Sequence, residues 1–304
     1  MNKQFNNKPL VSIIMNCFNG EAYLLESIKS VLAQTYKNWE VIFWDNKSTD
    51  NSAKIYKSFN DKRFKYYYAS THTSLYQARN MAVEKCNGEF IAFLDTDDWW
   101  IPEKLDQQIQ LFKDNEIGLV YSNCYLHYEN TKKNKLLSKK KLPIGKVTND
   151  LLKCYNMGVI TVVIRKKLFD QFQQKFNPKY NIIGDFDFFI KLSTITKVQC
   201  VQSPLAYHRY HQYNYSSINY DLEISELEDW SKNQKIFNKT SFDSLSKDLK
   251  LKIIYMKTLR CILKGDFVNF LKNILSFPWS LKKIELVIAF LLPKKLLKKI
   301  KNLQ

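Results

Sequence analysis

Three carboxylates crowd into four positions at Asp95-Thr96-Asp97-Asp98, directly after the apolar run Phe90–Leu94. Neighbouring carboxylates repel, and gathering them is unfavourable unless a cation lies among them. An oxygen donor set suits Mg²⁺ or Mn²⁺, which typically take one or two carboxylates and complete their shells with substrate phosphates. A second acidic pair, Asp185 and Asp187, sits in the aromatic stretch Ile183-Gly184-Asp185-Phe186-Asp187-Phe188-Phe189. A carboxylate set among Ile183, Phe186 and Phe189 gains proton affinity, which a general base needs. A third group, Tyr207-His208-Arg209-Tyr210-His211, holds two of the chain's four histidines. Histidine serves as a further metal ligand, and Arg209 can neutralise phosphate charge. Plainer readings stand beside these. A D-x-D motif can simply cap the following helix, and Asp50 and Asp187 read as helix caps or buried hydrogen-bond partners.

These groups need a frame. Leu10–Asn16, Trp39–Asp45, Phe64–Tyr68 and Phe90–Asp95 are apolar or β-branched runs of strand length. Helical stripes separate them at Glu21–Gln34, Ser48–Phe59 and Ser74–Lys85. A helix over Glu103–Phe112 behind Pro102 and a strand over Leu119–Asn123 follow. Such β-α-β-α order predicts an α/β fold with one mostly parallel, Rossmann-like sheet flanked by helices. In that architecture ligands bind at the carboxyl ends of the strands. Asn16, with Asn19 just beyond it, Asp45 and Asp95 all stand at such ends.

Farther on, Lys132–Lys141 reads as a basic polar loop. Short strands are expected near Val162–Arg165 and Val198–Gln202, with a helix over Asp187–Ser193 between them. Residues 220–304 read as mainly helical and amphipathic. The expected division is a catalytic domain over 8–217, its halves 8–125 and 126–217, and a basic helical extension over 218–304.

Five of these stretches carry a resemblance. They are Ser12-Ile13-Ile14 with Asn19-Gly20, Ser30–Tyr36 (SVLAQTY), Asp45–Asp50 (DNKSTD), Ala78-Arg79-Asn80, and Asp95–Asp98 with Pro102. In this order they resemble the nucleotide-binding half of the family 2 glycosyltransferases, which have the A-type nucleotide-diphospho-sugar fold. The likeness is strong over Val11–Phe112 and extends weakly to about residue 217.

The resemblance implies inverting, metal-dependent transfer of a sugar from a nucleotide-diphosphate donor, UDP by default, to an acceptor hydroxyl. It assigns Asn19, Asp45, Arg79 and Asp95 to the nucleotide sugar, with Asp45 at the base and Asp95 at the ribose. It assigns Asp97, with His211 as a further ligand, to Mn²⁺ or Mg²⁺, and Asp185 to the general base. Two departures are visible: Asn46 stands where a second acid is usual, and Gly184 where many members carry Glu. A glycan or lipid-linked acceptor, as in surface-polysaccharide or lipopolysaccharide synthesis, is the implied partner.

Other classes fit less well. A haloacid-dehalogenase phosphatase would carry its D-x-D after the first strand, and a Rossmann dehydrogenase a G-x-G-x-x-G there. A non-catalytic sugar-nucleotide or nucleic-acid-binding protein remains the alternative. A formal charge of +18 would suit nucleic acid, yet no recognised binding motif is present and no nucleic-acid partner is expected.

Residues 241–304 hold 14 basic and 4 acidic residues, so more than half of that surplus lies in the last fifth of the chain. Leu281–Ile300 alternates apolar side chains with lysines and is broken by Pro293. That pattern suits either an interfacial helix on an anionic membrane or a helix packed on the catalytic domain. Six scattered cysteines without a C-x-x-C pair argue against a zinc site and a disulfide framework. With no apolar run near 20 residues and no signal-peptide pattern, the expected location is cytoplasmic, peripheral on the inner face of the membrane.

Overall fold

The computed structural model describes residues 8–173, 175–294 and 297. The chain divides into two compact units: residues up to Leu151 together with Tyr155–His211, and Leu152–Cys154 together with residues from Gln212 onward.

The first unit opens with β1 (Val11–Cys17), α1 (Glu21–Leu32), β2 (Trp39–Asp45), α2 (Ser52–Lys57), β3 (Phe64–Tyr68) and α3 (Leu75–Val83). Next come β4 (Phe90–Phe93), β5 (Trp99–Trp100), α4 (Lys104–Gln110), β6 (Ile117–Tyr128) and β7 (Lys133–Leu136). Short helices α5 (Thr148–Lys153) and α6 (Lys166–Phe169) bracket β8 (Val163–Arg165), and α7 (Gly184–Ile195) leads into β9 (Lys197–Tyr210). One sheet orders the strands β3-β2-β1-β4-β8-β6-β9-β5, with β7 beside β6. Pairing is parallel across β3-β2-β1-β4 and along β6–β9, and antiparallel where β8, β5 and β7 join. Every residue of β1, β2 and β4 is buried, as strands covered on both faces require. The expected α/β sheet is therefore present.

Its second half departs from the expected boundaries. β6 and β9 run well past the predicted 119–123 and 198–202. Their pairing shifts register around Asn123, which faces Pro204. A proline cannot donate to the ladder, so the irregularity falls there, and the broken alternation conceals one long strand on each side. The basic stretch after Lys132 contains β7, whose four residues are all exposed. Lysine on an exposed edge strand discourages pairing with other chains.

The second unit holds α8 (Tyr215–Ile218), α9 (Tyr220–Asn233), α10 (Lys239–Leu245), α11 (Lys247–Lys264), α12 (Phe267–Ser276) and α13 (Leu281–Leu291). Gly265, with φ of 79°, ends α11 in the left-handed conformation that glycine adopts without steric cost. α13 stops ahead of Pro293, as predicted. Lys295, Leu296, Lys298, Lys299 and Ile300, expected to continue the pattern, lie outside the described residues. Among the described residues no helix is long and apolar enough to cross a membrane. All six cysteines are unpaired.

Candidate active site

β1 lies between β2 and β4, so the chain winds outward from β1 in both directions and leaves a crevice at the carboxyl ends. Beyond β1, Asn19 takes φ of 53°, which asparagine tolerates better than most residues. Its Oδ1 accepts the Thr49 N–H at 2.8 Å, and its own N–H donates to the Ser48 hydroxyl at 3.0 Å. Asn19 is thus tied to the loop after β2. The next residue, Gly20, faces the D-x-D loop so closely that a Cβ there would lie 2.7 Å from the Thr96 hydroxyl.

Asp45 ends β2, fully buried, with Oδ1 accepting the Ser48 N–H at 2.7 Å and Oδ2 accepting the Tyr66 hydroxyl at 2.6 Å. Asp50 caps two helices, accepting the N–H groups of Glu21 and Ser52 at 3.0 Å each. Two polar groups at the same strand ends have no hydrogen-bond partner although buried: the Asn16 amide and the Trp44 indole N–H. The two residues are register partners on β1 and β2, so they share a sheet face. A buried polar group without a partner is costly and points to a missing one.

The D-x-D loop divides its carboxylates. Asp95 Oδ1 accepts Arg79 Nη2 at 2.6 Å, and the guanidinium is buried on α3, 5.3 Å from the Tyr76 ring. Asp97 Oδ2 lies 3.1 Å from His211 Nε2. Burial works to raise the Asp97 carboxyl, but the His211 hydrogen bond and the nearby His208 outweigh it and hold it below its ordinary value. Asp98 turns inward, accepting the Arg209 N–H at 2.7 Å and meeting His208 Nδ1 at 3.1 Å. Burial raises Asp98 to about 6 against the pull of His208. Burial would lower His208, yet the facing Asp98 lifts it to about 9.

Arg209, expected from sequence to neutralise phosphate, is committed elsewhere. Its guanidinium is buried, donates to the Asp97 carbonyl at 2.8 Å, and pairs with Glu26 and Glu129. It also lies 4.4 Å from the ring centres of both Tyr23 and Trp99. Its place on β9 points it back into the protein.

One carboxylate oxygen and one imidazole nitrogen, at Asp97 and His211, suit Mn²⁺ or Mg²⁺ when substrate phosphates and water complete the shell. Among the described residues no group of three His, Cys, Asp or Glu is arranged to hold a metal ion with protein atoms alone.

Asp185 opens α7. Its Oδ1 accepts the Phe186 N–H at 2.8 Å and lies 3.3 Å from the Tyr76 hydroxyl, which also donates to the Ile182 carbonyl at 2.7 Å. Its Oδ2 accepts the Tyr155 hydroxyl at 3.2 Å. Burial raises the Asp185 carboxyl above its ordinary value, over the lowering effect of Arg79 and these hydrogen bonds. Asp187 is buried and pairs with Lys191 one turn along at 2.6 Å, a structural role. Gly184 has a steric reason. A Cβ there would fall 2.5 Å from the Tyr76 ring, so the aromatic occupies the space that a larger residue would need.

Tyr76 therefore touches Asp185 and lies against Arg79, which holds Asp95, and Asp97 follows two residues later. Arg79, Asp95, Asp97, Asp185 and His211 form one group, while Asp45 ends the adjoining β2 and Asn19 lies just past β1. The supports Tyr76 and Tyr155 and the Asp98–His208 pair went unread in the sequence, because each contact spans 30 to 110 positions.

Residues 12–175 match glycosyl transferase family 2, and the chain belongs to that family. Among its relatives is the UDP-Glc:alpha-D-GlcNAc-diphosphoundecaprenol beta-1,3-glucosyltransferase WfgD of Escherichia coli, 39% identical over 170 residues. The match covers 56% of this chain and 66% of that protein. Two solved structures share the fold. TarS 1-349 of S. aureus in complex with UDP-GlcNAc has a TM-score of 0.64 at 16% identity, covering 87% of this chain and 79% of that one. The mannosyltransferase PcManGT of Pyrobaculum calidifontis in complex with GDP-Man and Mn2+ scores 0.61 at 14% identity, covering 93% and 80%. These are A-type glycosyltransferase folds, as the resemblance implied.

Proposed function

We propose that this chain transfers a sugar, with inversion, from a UDP-sugar to a hydroxyl of a lipid-linked or glycan acceptor in surface-polysaccharide synthesis. One observation carries the reading. A carboxylate of raised proton affinity, Asp185, is linked through Tyr76 and Arg79 to the D-x-D loop at the sheet's switch point.

Asp185 takes the proton from the acceptor hydroxyl, whose oxygen attacks the anomeric carbon opposite the departing nucleotide. A single displacement of this kind inverts the centre. Asp97 and His211 would hold Mn²⁺ or Mg²⁺, which would supply positive charge where the departing diphosphate develops negative charge. Asp45, Arg79 and Asp95, with Asn19 shaping the first loop, bind the nucleotide. The partnerless Asn16 amide and Trp44 indole leave further hydrogen-bonding capacity at the same strand ends, on the sheet face opposite Asp45.

The UDP donor is favoured by the UDP-GlcNAc complex of one structural neighbour, and the lipid-linked acceptor by the name of the Escherichia coli relative. With such an acceptor, the working location is peripheral, at the cytoplasmic face of a membrane.

Incubation with a panel of nucleotide sugars and Mn²⁺ or Mg²⁺ tests the reading. Release of UDP from one donor, stimulated by a lipid-linked acceptor, is expected. Binding without turnover across the panel would leave a sugar-nucleotide-binding protein instead.

A further inference from the structure

Helices α12 and α13 of the second unit are apolar on two sides. α12 buries Phe270 and Ile274, and α13 buries Leu286 and Ala289, in one cluster with Leu259 and Ile262 of α11. On α13 a second set, Leu281, Ile284, Ile288 and Leu291, recurs at helical spacing and is exposed. At 100° per residue this stripe lies across the helix from Leu286 and Ala289. On α12, Val268, Leu271 and Leu275 make a matching exposed stripe, and Trp279 stands on the turn between the helices. Exposure reaches 78% at Leu275, 85% at Trp279 and 86% at Leu281. A helix packed on one side in water carries polar residues on the other, so this surface is built for a different neighbour.

The charges around it are mostly basic. Lys264, Lys272, Lys282 and Lys294 are exposed. The acids nearby are Asp266, which caps α12 through the Asn269 N–H, and Glu285, which accepts the Tyr255 hydroxyl.

We propose that the outward face of α12, the 277–280 turn and α13 inserts into the headgroup–acyl boundary of an anionic bilayer, with Trp279 at its tip. Apolar side chains entering the lipid and lysines at headgroup level match such a leaflet on both counts. A second copy of the chain would instead set like charges against one another. The proposal starts from the peripheral location given above and names the surface responsible. Sugar transfer by the first unit stands or falls separately.

An apolar anchor differs from a lysine patch in its response to salt. The full chain is expected to sediment with phosphatidylcholine–phosphatidylglycerol vesicles at low salt. A substantial fraction should stay bound near 1 M salt, where the screening length falls to about 3 Å. The double variant Leu275→Asp, Leu281→Asp should lower the bound fraction by about tenfold or more. Both positions face water, so circular dichroism and UDP release should stay unchanged. Trp279→Phe should remove the blue shift in fluorescence on vesicle addition.

Absence of sedimentation at low salt, or complete release at high salt, would overturn the proposal. So would a dimer in sedimentation velocity that the double variant abolishes, which would give the face to a second copy. Vesicle binding seen only after deletion of residues 295–304 would give it to the chain's own terminus.

Discussion

Asp97 and Asp185 carry the same side chain in one cleft and are held in opposite ways. Asp97 meets the imidazole of His211, with His208 nearby, and its proton affinity falls. Asp185 meets two tyrosine hydroxyls and a backbone N–H among apolar neighbours, and its proton affinity rises. Surroundings that push two carboxyls apart in this way divide the labour between them. One stays charged and can face a cation. The other can take a proton from an acceptor.

Breaking the Asp185 side should give the largest effect. Asp185→Asn is expected to lower turnover by about 10²–10⁴-fold while donor binding, read by calorimetry with UDP, is kept. Stability should move the other way. A carboxyl whose folded affinity is raised binds more protons folded than unfolded, so its stabilising contribution is complete below its ordinary value and is lost as pH rises through the raised one. At pH 7 the amide removes that liability, and thermal unfolding of the variant should come at or above the wild-type temperature. Unfolding well below it would show that the Asp185 carboxylate supports the fold.

On the Asp97 side, Asp97→Asn should raise the Mn²⁺ concentration for half-maximal UDP release by about tenfold or more, with little change in the pH profile. An unchanged Mn²⁺ requirement would remove Asp97 from the cation site.

Crowding the support between them comes next. Gly184→Ala places a methyl against the Tyr76 ring and should cost about 1–3 kcal/mol in chemical denaturation. The smallest change sharpens the comparison. Tyr155→Phe removes one donor to the Asp185 carboxylate, so the acidic limb of kcat/KM should move upward by about one pH unit. A limb that stays in place would mean that Asp185 is not the titrating base.

β1, β2 and β4 could be read from sequence because each is a buried apolar run between turn residues, and β2 and the half-exposed, aromatic β3 fall on the predicted bounds. β9 could not. Pro204 and the register shift beside Asn123 break the alternation on which such a reading depends. The candidate site was legible where charge stands at or just past a strand end, as at Asp45, Asp95 and Asp97. It was illegible where neutral side chains from distant segments do the holding, as Tyr76 and Tyr155 do for Asp185. Arg209 reads from sequence as a phosphate partner because it lies between two histidines, while Glu129 and Glu26, 80 and 183 positions away, claim its guanidinium.

That arginine has a consequence for the cleft. By gripping the Asp97 carbonyl together with α1 and the residue just past β6, Arg209 fixes the carboxylate loop before any ligand arrives. The entropy lost in ordering that loop then falls on folding, and a pyrophosphate bound there, as proposed, would meet a rigid, preorganised cradle.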